Sequence, residues 1–167
     1  MGYMDCMAGT VSRIGAIQGF IGAEDPPPPH VHAFHTGQGW RARYRFSFLS
    51  DVTGLYRFRK YGKRPSVTTL NQVSDAIMQN LADCRAAWWA NHGSGNGLGL
   101  VNQRIETMAI AGGDKILAKV ALAPAPAAVG IVSAAYSPSS GRVTLQLADG
   151  RRLSLTAGQH IEEAKEW

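Results

Sequence analysis

Cysteine is scarce in this chain of 167 residues: only Cys6 and Cys84 occur, far apart. They offer neither a disulfide framework nor a paired zinc-ligand spacing. No run approaches the roughly 18 consecutive apolar residues that a membrane-spanning helix needs. The first residues also lack a basic stretch followed by an apolar one, so no secretion leader is expected and a cytoplasmic location, away from membranes, is. Acidic residues are few as well: 12 Asp and Glu stand against 17 Lys and Arg, a net charge of +5. That charge is too small, and the 45% hydrophobic content too high, for a disordered chain. The length fits one compact domain or two very small ones.

What is present is unevenly placed. Between residues 41 and 64, Arg41, Arg43, Arg45, Arg57, Arg59, Lys60, Lys63 and Arg64 are opposed by Asp51 alone, while the rest of the chain is slightly acidic. From 40 to 48 the even positions are Trp40, Ala42, Tyr44, Phe46 and Phe48, and the odd positions 41 to 45 are all arginine. Period-two alternation of this kind predicts a strand with one apolar and one cationic face. Asp51-Val-Thr-Gly54 is turn chemistry, and Tyr56 and Phe58 alternate with Arg57 and Arg59 beyond it, so a hairpin with an arginine-lined outer face is expected.

Residues 10–22, loosened by three glycines, read as one strand, ended by Glu24-Asp25 and the four prolines Pro26 to Pro29. His30 to His35 resumes as a strand. Leu70, Val73, Ile77, Leu81, Cys84 and Trp88 recur at helical spacing and predict one long amphipathic helix over about 69–91, laid on the Trp40/Tyr44/Phe46 face. Four glycines in residues 93–99 mark a linker. Beyond it, strands are expected near 104–111 and 115–123, with a helix at 100–110 as the alternative for the first. A meander at 131–136, 142–147 and 151–155 should turn at Ser137-Pro-Ser-Ser-Gly141 and Asp149-Gly150, and a short helix is expected over Gln159–Trp167. The expected fold class is α+β: a small antiparallel sheet with one long helix over residues 1–92, the linker 93–99, and a small β-rich domain over 100–167.

The segment Glu24-Asp25-Pro-Pro-Pro-Pro-His30-Val31-His32-Ala33, with the arginine-aromatic strand and a helix ending Trp88-Trp89, resembles a bacterial family of unknown function whose hallmark is PPHVHA. The resemblance covers about residues 10–92. Residues 128–160 resemble a second small β family, also of unknown function. Members of the two families are commonly encoded together and are often described as toxin–antitoxin or mobile-element components. In this chain the basic hairpin is longer than the usual form and the two halves are fused. The resemblance therefore implies a phage or toxin–antitoxin context rather than a reaction.

Three features can carry function. His30 and His32 are two apart on a strand, so their side chains share a face about 7 Å apart, whereas His35 has the other parity. Zinc takes three or four ligands, so a metal site would need Asp25 or His92 as well. The alternating-histidine pattern of nucleotide hydrolases is broken at Phe34. The plainer reading is two histidines bonding carbonyls beside the proline run. The arginine face, with Lys60, Lys63 and Arg64 beside it, suits phosphates or carboxylates, hence nucleic acid or an acidic protein; its plainer reading is a solvated surface. Trp89 lies one step from the apolar stripe and is a candidate interface residue. The Gly-rich stretch lacks the Lys-Ser/Thr of a phosphate loop.

These features together lead to the expectation of a non-catalytic, regulatory or inhibitory binding protein, without cofactor, that engages an anionic partner through the arginine hairpin. The alternative is a metal-assisted or histidine-based phosphoesterase or RNase built on His30 and His32 with Asp25 or His92. Self-association as a homodimer through an exposed strand edge is a third reading.

Overall fold

The computed structural model describes residues 7–51, 53–60, 62–93, 97–109, 116–121, 128–159 and 161–162. The α+β expectation does not hold: the protein is mostly β, with two curled sheets and two short helices in place of one small sheet under one long helix followed by a β-meander. Two local features account for the difference. The run at 10–22 is two strands, because Gly15 takes a left-handed backbone (φ 53°) and turns β1 (Met7–Ile14) back onto β2 (Ile17–Gly22), pairing Ile14 with Ile17. The expected single helix is broken at Asn80, whose side-chain amide donates to the Ala76 carbonyl and whose backbone leaves helical geometry. An asparagine that satisfies a backbone carbonyl with its own side chain competes with the helix ladder. The outcome is α1 (Val67–Gln79), capped by the Ser66 hydroxyl accepting from Thr69 N at 3.1 Å, and α2 (Leu81–His92).

The first sheet runs β1-β2-β3-β4-β5 in chain order, all antiparallel, with β3 (His30–His35), β4 (Trp40–Phe46) and β5 (Thr53–Lys60). The second has the order β10-β9-β8-β6-β7-β11. It is built from β6 (Arg104–Ala109), β7 (Ile116–Ala121), β8 (Val129–Ser137), β9 (Arg142–Leu147), β10 (Arg152–Thr156) and β11 (Ile161–Glu162). Strand β11 pairs parallel to β7, so residues 161–162 are strand where a helix was expected. The centre of the glycine-rich stretch, 94–96, lies outside the described residues, as do 163–167.

The alternation of β4 works as its sequence dictates. Trp40, Ala42, Tyr44 and Phe46 are buried, and Val73, Ile77, Leu81, Cys84 and Trp88 of the two helices pack with them. Tyr44 donates its hydroxyl to the Leu70 carbonyl at 2.9 Å, and Trp88 meets Phe46 edge-on. Each large apolar side chain taken out of water there stabilises the fold by about 1.5–3 kcal/mol. The same hydrophobic cluster continues into the second sheet, where the Tyr136 ring meets Phe48 at 4.9 Å above Ile131, Val143 and Leu145. Arg85 is buried between α2 and the chain after β4, donating to Ser47 O (2.9 Å), Ser50 O (3.0 Å) and Asp51 Oδ1 (2.8 Å). Among the described residues no helix is long and apolar enough to cross a membrane.

Candidate functional site

The arginine face and His32 belong to one surface. In β4 the odd residues point away from the core, and register places His32 of β3 opposite Arg43 and Phe34 opposite Arg41. On the other side, Arg43 pairs with Arg57 and Arg41 with Arg59 of β5. Next to β3, Phe20 of β2 lies opposite His32. Two rows therefore cross the sheet, Phe20–His32–Arg43–Arg57 and Phe34–Arg41–Arg59. His32, Arg41, Arg43, Arg57 and Arg59, with the edge of Ala42, line an open basin.

Like charges directly opposite one another across strands repel, so this arrangement costs stability unless an anion occupies it. Among the described residues no carboxylate forms an ion pair with any of the four basin arginines; the salt bridges are made by Asp25, Asp51 and Asp149 elsewhere. The guanidinium of Arg41 instead sits 6.0 Å from the Phe34 ring centroid, at the outer limit of a cation–π contact.

Not every sequence-nominated cation lies here. Arg45 is half-buried opposite His30 and Gly54, outside the basin. Lys60 ends β5 opposite Trp40, and Lys63 and Arg64 are exposed beyond it. Trp89 is half-buried against the hydrophobic cluster.

The second group is Asp25, His30 and His32, which the chain brings together by reversing direction between β2 and β3. Gly22, the last residue of β2, donates its N–H to Asp25 Oδ2 at 2.9 Å. The four prolines then return the chain to the first residue of β3. His32 Nε2 lies 2.8 Å from Asp25 Oδ2, and His30 Nε2 lies 3.2 Å from His32 Nε2 and 3.5 Å from Asp25 Oδ2. His30 Nδ1 donates to the Pro28 carbonyl at 2.8 Å, which leaves its Nε2 turned toward the other two groups. His30 is 1% exposed and touches the Trp88 ring; His32 is partly exposed and stacks on Phe20 at 5.1 Å. Burial by itself would raise the Asp25 carboxyl. The hydrogen bonds from His30 and His32, and the charge those rings can carry, outweigh it and hold the carboxyl well below the usual range.

Of the other candidates, His92 is not part of this group: its Nε2 donates to the Gly22 carbonyl at 2.8 Å and its ring lies 4.2 Å from that of Trp88, bracing the end of β2. His35 has the opposite parity and accepts from Gln38 N through Nδ1.

Phe20 and Phe34 were missed by sequence reasoning. Their rings meet edge to face at 5.6 Å, half-buried beside the arginines. The signal for Phe34 was its parity, which it shares with His30 and His32; Phe20 had none until its strand partner was known. Chemically, the surface offers guanidinium forks for anions, partly open aromatic rings for stacking, and an imidazole held by a carboxylate at their border. Comparison of the chain with protein-family models, with curated proteins and with solved structures finds no match in any of the three.

Proposed function

We propose that this protein binds single-stranded nucleic acid, gripping phosphates with Arg41, Arg43, Arg57 and Arg59 and stacking bases on Phe20 and Phe34. The observation that carries the reading is a basin lined by four guanidinium groups without a carboxylate partner among the described residues. Arginine's planar fork matches phosphate oxygens in pairs. The half-buried phenylalanine rings on the same face favour an unstacked strand over a duplex, since a base needs an open aromatic face to lie on. Together with the toxin–antitoxin resemblance of residues 10–92, such binding fits a regulatory or inhibitory role.

The test is fluorescence anisotropy with labelled single-stranded RNA and DNA of about 12 nucleotides, a length within the range of known single-strand binding sites. Arg41→Gln, Arg43→Gln, Arg57→Gln and Arg59→Gln combined should abolish binding while the circular dichroism spectrum stays unchanged. Equal affinity of the variant and the parent overturns the reading. No binding by the parent, with host proteins retained on it after nuclease treatment and released by the same four substitutions, moves the assignment to an acidic protein partner.

One observation favours a second reading. His32 both lines the basin and is held by Asp25, an arrangement suited to proton transfer at a bound phosphodiester. Cleavage of the labelled RNA by the parent, lost in His32→Ala with binding retained, would establish it; intact RNA after prolonged incubation would dismiss it.

A further inference from the structure

Two imidazoles and a carboxylate converge on one point beside the proline run. The three facing atoms, His30 Nε2, His32 Nε2 and Asp25 Oδ2, form a triangle with edges of 3.2, 2.8 and 3.5 Å. His30 uses its Nδ1 proton on Pro28 O, so a neutral His30 presents a lone pair at Nε2. Asp25 Oδ2 presents another. A neutral His32 can place one proton between them, and that proton cannot point well at both acceptors. A cation at the same place would satisfy three lone pairs at once.

The dimensions agree with that role. Ligands on one tetrahedral ion with bonds of about 2.0–2.1 Å stand about 3.3 Å from each other. An ion held about 2.1 Å from each of the three atoms here would sit roughly 1 Å out of their plane, leaving its far side open. The supporting contacts also match what metal-bound histidines require. A ligating imidazole donates its other N–H to a carbonyl or carboxylate, which fixes the tautomer; His30 does so to Pro28. The carboxylate is itself tethered by Gly22 N, and the approach is so close that a Cβ at Gly22 would stand 2.6 Å from Asp25 Oδ2.

We propose that Asp25, His30 and His32 form a binding site for one divalent transition-metal ion, of which zinc is the natural occupant. Imidazole and carboxylate without thiolate suit zinc and the neighbouring first-row ions, whereas calcium and magnesium prefer oxygen ligands throughout. The site takes its three protein ligands from an eight-residue stretch, 25–32, and leaves one position for water or an anionic oxygen. It borders the basin through His32, which both share, but its ligands include none of the basin arginines, so the two can be tested separately.

The experiment uses the full chain without a histidine tag, stripped with chelator and titrated with Zn2+ by calorimetry and with Co2+ by visible absorption. One equivalent should bind, and Asp25→Asn and His32→Ala should each weaken it by at least tenfold, while His35→Ala leaves it unchanged. A saturating zinc concentration should raise the melting temperature of the parent but not of those two variants. Should either variant fail to fold, the histidine ring resonances of the parent decide: Co2+ must broaden His30 and His32 before His35. Absence of binding at 100 μM Zn2+ overturns the proposal. Equal binding by folded Asp25→Asn and His32→Ala, or broadening without preference, identifies an adventitious ion only and overturns it equally. Loss of oligonucleotide binding in the arginine variant with zinc binding intact would separate this site from the proposed function.

Discussion

Replacing Arg85 by methionine isolates what a single buried guanidinium does for this fold. Methionine keeps the apolar stem of the side chain as far as about the position of Nε, but lacks the guanidinium group beyond it and supplies no donor. Three hydrogen bonds disappear, to Ser47 O, Ser50 O and Asp51 Oδ1. They are unequal. The Asp51 side chain is 64% exposed and water can take over its bond, so that part is worth below about 1 kcal/mol. The two carbonyls lie against the buried arginine and lose a charged donor, at roughly 1–3 kcal/mol each. Removing the guanidinium also removes its own desolvation cost, which offsets part of the loss. A net destabilisation of about 3 kcal/mol is expected, equivalent to a melting temperature about 6–12 °C lower for a chain of this size. Thermal melts followed by far-ultraviolet circular dichroism measure it, with Asp51→Asn as the control that should move the midpoint by less than about 3 °C. If Arg85→Met melts within 2 °C of the parent, or Asp51→Asn costs as much as Arg85→Met, the carbonyls are not what the guanidinium serves.

Further expectations concern the basin, the thiol and one glycine. With four phosphates neutralised on a single strand, log K should fall against log salt with a slope of about −3, or about 50-fold between 50 and 200 mM; Arg59→Gln should lessen the slope by about 0.7. A salt-independent affinity would contradict phosphate contact. Cys84 is fully buried and its thiol is pushed up to about 12, chiefly by desolvation and then by Asp83. Below that pH the neutral thiol dominates, so in a Cys6→Ser chain thiol reagents at pH 8 should react only after denaturant is added. Rapid labelling of the native chain would show that α2 opens. At Gly97 a Cβ would run into the His92 backbone carbonyl, and Gly97 O accepts from Trp88 Nε1 at 2.6 Å. Gly97→Ala should therefore destabilise by about 2 kcal/mol and red-shift the tryptophan emission; an unchanged melt and spectrum would mean that the loop yields freely.

The strand at 40–46 was legible because both its faces are decided by period-two chemistry, and its arginines point away from the core as that pattern requires. The stripe from Leu70 to Trp88 was equally legible as a buried face, yet the break at Asn80 was not. An asparagine inside an apolar period leaves the period intact, and only its side-chain bond to Ala76 O reveals the change of element. The hairpin at Gly15 was hidden for a related reason: isoleucines on both sides extend the β-branched run through the turn. As for the site, parity showed that His30 and His32 face together. That Asp25 closes on them depends on the chain reversal after Gly22, and that Phe20 joins the arginine surface depends on strand pairing. Neither is written in local spacing. The role of Arg85 has no sequence signature, because its acceptors are backbone carbonyls more than thirty positions away.

The proline run between β2 and β3 has a consequence for how this region tolerates change in length. From Asp25 to His30 the backbone passes through four residues whose φ is fixed near −65°, so the segment acts as a spacer with little slack. Adding or deleting one proline alters its contour by about 3 Å, more than a hydrogen bond can stretch. Count along this stretch therefore matters as well as composition: a chain with three or five prolines would keep Asp25, His30 and His32 and still bring the carboxylate to the wrong place.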